Sequence, residues 1–192
     1  MSAEPAELFR LAVYYQRAGD LDRAQANYRA LLERNELDPR IHNNLGLLYR
    51  DRGMADYAVR EFQRALIINP DYLTARNNLG VALLGQSRLE DAAVEFKRVL
   101  ANDPRNVDAA VNLALVEKAT GQLERAKESL IRALMLDSSN GPAHFNLAGL
   151  YEQTGEAARA VEHYRAFLDH AGAEHAFQAA QARARIEALA SR

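Results

Sequence analysis

Apolar residues in this chain recur at spacings of three and four, in short segments separated by polar breaks, which is the signature of amphipathic helices. Each segment is too short to persist alone in water, so the pattern predicts helices that exist by packing on their neighbours. The pattern also repeats as a whole. Ala24, Ala58, Ala92, Ala126 and Ala160 stand 34 residues apart with no insertion or deletion. Leu11, Leu45, Leu79, Leu113 and Leu147 keep the same interval, each followed by a small residue: Ala12, Gly46, Gly80, Ala114 and Ala148. A bulky side chain returns in step as Tyr28, Phe62, Phe96, Leu130 and Tyr164.

Start and stop signals divide each unit into two helices. Gly19, Gly53, Gly121 and Gly155 fall between them, where a left-handed C-cap costs glycine no Cβ clash. Ser87 holds that place in the third unit, which predicts its least favourable turn. Asp22, Asp56, Glu90 and Glu124 fall in the first turn of the second helix, opposite the positive end of the macrodipole, while the fifth unit has Ala158. Pro70 and Pro104 stop helices, and Asp38 before Pro39 reads as a cap followed by proline at the first helical position. The leucine-small step and the aligned alanines predict close approach of helix backbones, since neither side chain extends past a methyl group.

The period, the segment HNNLGLLY at 42–49, and Ala58, Phe62, Ala65 and Pro70 after it resemble the tetratricopeptide repeat. The resemblance covers residues 5–174 as five repeats: 5–38, 39–72, 73–106, 107–140 and 141–174. It implies an all-α fold, a right-handed α-solenoid of helix-turn-helix repeats forming one domain. Residues 175–190 match the helix that caps such arrays. The other end lacks a comparable cap: Leu8, Phe9, Leu11, Tyr14 and Tyr15 offer more apolar surface than one hairpin readily covers, so either the second helix of the first repeat covers most of it or this edge forms a homo-oligomer.

Composition narrows the function classes. Twenty-four basic against 26 acidic residues give no long-range field for nucleic acid or an anionic membrane. No apolar run is long enough to span a bilayer and the N-terminal segment lacks a signal-peptide pattern, so a cytoplasmic location is expected. Abundant Arg and Ala suggest a bacterial source, and the absence of cysteine excludes disulfides and thiolate chemistry. No phosphate loop, nucleophile elbow or HExxH is present, so neither an enzyme nor a bound cofactor or metal is expected. His42 and His144 occupy repeat position 4, a packing position in the family, and read as core filling. His163, His170 and His175 are spaced by seven and five and do not share one helical face. Glu117 stands where other repeats have Tyr15, Tyr49 and Tyr151, and reads as a half-exposed carboxylate, the alternative being a charge aimed at a ligand.

The resemblance implies that the first helices line a concave groove through positions 2, 5, 6, 9, 12 and 13, counted from Pro5, Pro39, Leu73, Val107 and Gly141. Position 6 then presents Arg10 followed by Asn44, Asn78, Asn112 and Asn146. Asn is a poor residue for a helix interior, whereas its amide offers both donors and an acceptor to a peptide bond. Such a row resembles the ladder that grips extended peptides in the repeat domains of O-GlcNAc transferases. The alternative is that position 6 carries Asn in this family whatever it binds. Asn43, Asn77, Arg40, Leu47, Val81 and Leu115 join these residues as candidate peptide contacts, mixing polar and apolar rows.

Arg10, Arg17, Arg40 and Arg50 lie toward the N-terminal half, and Asp108 and Glu152 toward the other, which predicts an acidic ligand segment over the arginines. The family's clamp for acidic chaperone tails fits Arg40, Asn44 and Asn78 but then needs Lys and Arg where Asp108 and Asn112 stand, and Asp108 would repel a carboxylate. The expected function is an interaction scaffold for a peptide segment of a protein partner. Self-assembly through the N-terminal edge is the alternative.

Overall fold

The computed structural model describes residues 4–34 and 37–191, with Glu174 described by its backbone alone. Among the described residues there are eleven α-helices, one 3-10 turn at Ala173–His175 and no strands. In order they are α1 Pro5–Arg17, α2 Leu21–Leu32, α3 Pro39–Asp51, α4 Ala55–Ile68, α5 Leu73–Gly85, α6 Leu89–Asn102, α7 Val107–Ala119, α8 Leu123–Leu136, α9 Gly141–Gln153, α10 Ala157–His170 and α11 Ala176–Ala190. None of the described helices is long and apolar enough to cross a membrane. Contacts gather into two compact units, residues 1–95 and 96–192.

In the first unit α1 pairs with α2 and α3 with α4, while α2 packs on α3 and α4 on α5. Ala24 and Ala58 are fully buried at the crossings. The leucine-small step proves to be a seat for an aromatic ring: a Cβ on Gly46 would lie 2.5 Å from Phe62 Cε1. The turns follow the signals read above. Gly53 has φ of 72°, and Ser87 is the one non-glycine with positive φ among the described residues, at 58°. Asp38 accepts from the amide of Arg40 and caps α3.

In the second unit α7 pairs with α8 and α9 with α10, α8 packs on α9, and α11 lies against α10. Ala126, Ala160, Leu130 and Phe167 form its core, which Ala179 and Ala182 of α11 join, with Ile186 and Leu189 packed alongside. Asn106 and Asn140 cap α7 and α9 by accepting from Ala109 N and Ala143 N, each at 3.0 Å.

Position 4 departs from its expected role. It makes a polar tie across each of three hairpins to the residue nineteen places on: His42 Nδ1 to Glu61 Oε2 and Arg76 Nη1 to Glu95 Oε2 at 2.7 Å, and His144 Nδ1 to His163 Nδ1 at 2.8 Å. His42 is buried as expected, but hydrogen bonding rather than packing alone defines its site. Glu117 likewise corrects its expectation of half exposure. It is 9% exposed, and Ser129 Oγ donates to its Oε2 at 2.8 Å, so a partner on α8 makes a buried carboxylate tolerable.

Candidate functional site

Each unit has a cavity on the face of its first helices. In the first unit it measures about 460 Å³ and is lined by Val13, Gln16 and Arg17 of α1, Asn44, Leu47 and Asp51 of α3, with Tyr28 of α2 at its floor. Tyr28 Oη donates to Gln16 Oε1 at 3.1 Å, and Gln16 Nε2 donates to Asp51 Oδ2 at 3.2 Å. Burial pushes the Tyr28 phenol up to about 12, with the Asn44 amide pulling the other way, so at neutral pH it is a protonated donor.

The second cavity, about 490 Å³, is built on the same plan. Asn146, Gly149 and Glu152 of α9 line it together with Tyr164 of α10, Lys118 of α7 and Arg185 of α11. Tyr164 Oη donates to Glu152 Oε2 at 3.1 Å. Burial and the Glu152 carboxylate push this phenol up to about 12 as well. Repeat positions 6, 9 and 12 and the bulky position 24 thus recur in both cavities.

The asparagines are less independent than a row of free amides. Asn78 Nδ2 donates to Asn43 Oδ1 at 2.9 Å, and Asn43 Nδ2 donates to Asn44 Oδ1 at 3.2 Å. Asn43 is only 3% exposed, so it braces Asn44 and Asn78 from behind instead of facing a ligand. Asn146 Nδ2 donates to Pro142 O at 2.9 Å. Asn77, Val81, Asn112 and Leu115 are partly buried. Arg10 is exposed and lines a separate cavity of about 670 Å³ with Phe9, Leu31 and Arg40. Arg40 is committed there: Nη2 lies 2.7 Å from Asp38 Oδ2, and its guanidinium sits 5.6 Å from the Phe9 ring centroid. That ion pair holds the Asp38 carboxyl below its ordinary range.

Sequence reading missed Gln16, Tyr28, Lys118, Tyr164 and Arg185. A signal for the tyrosines was present, since they replace Phe62, Phe96 and Leu130 of other repeats and a buried phenol needs a partner for its hydroxyl. Among the described residues no group of three or more His, Asp or Glu side chains could hold a metal ion.

These hairpins and their spacing match the sequence profile of the tetratricopeptide repeat over residues 9–72, 55–107 and 111–174, and a second profile of the same repeat over 83–137. The chain belongs to the tetratricopeptide-repeat family. Its fold class is accordingly the all-α solenoid of that family. Among solved structures, PilW, a widely conserved type IV pilus biogenesis factor, is similar at a TM-score of 0.82 and 23% identity, over 100% of this chain and 91% of that one. PilF of Pseudomonas aeruginosa gives 0.81 at 20% identity, covering 96% of this chain and 88% of its own. YrrB, described as a tetratricopeptide-repeat protein with an unusual peptide-binding site, gives 0.68 at 18%, covering 94% and 92%. No curated protein sequence matches the chain.

Proposed function

We propose that this tetratricopeptide-repeat protein is an interaction scaffold that holds an extended segment of a partner polypeptide along the faces of its first helices. The observation that carries this reading is the recurrence of one cavity plan in both units, with an asparagine amide, a gap or aliphatic side chain at position 9, and a protonated tyrosine at the floor. Such a mixture suits a peptide, whose backbone needs hydrogen bonds and whose side chains need apolar contact. YrrB, by its description, also has a peptide-binding site, which agrees with this reading.

Capture from an extract of the source organism, followed by titration calorimetry of the captured segment, tests the proposal. Asn78→Ala with Asn112→Ala removes two rungs, each worth up to about tenfold in affinity. Unchanged affinity in the folded double variant would remove the groove from consideration.

Self-association through α1 is a second reading, resting on Tyr14, which is 65% exposed and edge-on to Tyr15 at 5.5 Å. Sedimentation at several concentrations separates the two, because a chain that stays monomeric does not assemble through this edge.

A further inference from the structure

Position 9 of the first helices holds Val13, Leu47, Val81 and Leu115, but in α9 it holds Gly149. The missing side chain opens the floor of the second cavity. A Cβ there would lie 3.6 Å from Lys118 Nζ and 3.8 Å from Tyr164 Oη, so an ammonium from α7 and a phenol from α10 both reach over bare helix backbone.

The one carboxylate in this cavity is already engaged. Glu152 Oε1 accepts from Arg185 Nη1 at 3.3 Å, and its Oε2 accepts from Tyr164. The Lys118 ammonium, on a partly buried residue, makes no side-chain hydrogen bond or ion pair among the described residues. Two cations and one carboxylate leave the cavity one positive charge in excess, and Asn146, Gln153 and Gln181 add side-chain amides around it. A carboxylate is the group this arrangement lacks, since it would pair with the ammonium while accepting from the amides.

We infer that the cavity above Gly149 is a subsite for one acidic side chain of the bound peptide, held by Lys118. The inference rests on the groove reading and deepens it. It adds a second acidic preference to the one that charge along the sequence places over the N-terminal arginines. Arg40 and Arg50 are paired with Asp38 and Asp51, whereas Arg185 of α11 offsets Glu152 and leaves Lys118 unmatched. A valine or leucine at position 9 would occupy the space, so the acid is demanded at one register rather than along the whole segment.

Selection of random displayed peptides on the intact chain tests both levels. Peptides joined to the display protein through their C-termini offer side-chain carboxylates alone. The enriched set is expected to carry Asp or Glu at one fixed place. A synthetic member with an amidated C-terminus is expected to bind about tenfold more weakly to Lys118→Gln, to Gly149→Leu, and when its own acid is exchanged for the amide. Should Gly149→Leu melt early, Lys118→Gln and the exchange in the peptide still decide.

Enriched peptides that lose affinity for Asn78→Ala with Asn112→Ala, yet lack a fixed acid or ignore Lys118→Gln, overturn the subsite and leave the groove reading standing. A selection that enriches nothing, or only peptides indifferent to every groove variant, overturns both.

Discussion

Asn78 Nδ2 donates to Asn43 Oδ1 across 2.9 Å, tying α5 to α3 through the amide of a side chain that is itself buried. The same spacing of asparagines that suggests a ligand ladder therefore also supplies an internal brace. These two roles separate by mutation. Asn43→Ala strips a buried bonded amide and is expected to lower stability by about 1–3 kcal/mol. Asn146→Ala removes only a bond to its own helix and is expected to be near neutral, because Ala is the better helix former. Denaturant unfolding of both variants makes the comparison, and equal losses would refute the brace.

Gly46 faces Phe62 so closely that a methyl group cannot be added without moving the ring. Gly46→Ala is expected to destabilise by about 1–3 kcal/mol through overpacking, despite the gain in helix propensity. Pairing it with Phe62→Leu should recover part of that loss. Strictly additive effects in the double-mutant cycle would contradict the contact.

Ser87 adopts the left-handed conformation at φ 58°, which the other hairpins give to glycine. Relief of a strain of roughly 1–2 kcal/mol, less the greater chain entropy of glycine, predicts that Ser87→Gly stabilises by about 0.5–1 kcal/mol. A raised denaturation midpoint with an unchanged slope is the expected result.

His163 of the His144–His163 tie has a shifted pKa. Burial and the neighbouring His144 hold its pKa below the ordinary histidine value, with Glu162 opposing. The unfolded chain therefore binds this proton first, so stability is fully present above the unfolded pKa near 6.5 and is lost as pH falls through that value toward the lower folded one. Thermal melts between about pH 7.5 and 5.5 should show a decline that His163→Gln reduces. His163→Glu would recreate the His–Glu pairing seen at His42 and Glu61 and should make the mildly acidic range less damaging. A decline of the same size in all three proteins would assign it to other groups.

Much of this architecture is local and therefore legible in the sequence. The period, the helix pairs and the turns at Gly53 and Ser87 follow from spacing, backbone sterics and caps, each set within a few residues. The rows at positions 6 and 9 came instead from the resemblance to the tetratricopeptide repeat, which implies that those positions face the groove.

Tertiary structure decided which of those residues could meet a ligand. Asn43 is one residue from Asn44 and equally polar, yet it is buried because α5 brings Asn78 against it. Glu117 could be a buried carboxylate only because α8 delivers Ser129. Lys118 and Gly149 stand 31 residues apart, with nothing in either letter to mark a site, until packing sets the ammonium over the gap and α11 neutralises Glu152. Periodicity is a property of one helix, whereas burial and charge balance belong to side chains converging from several, and only packing brings those together.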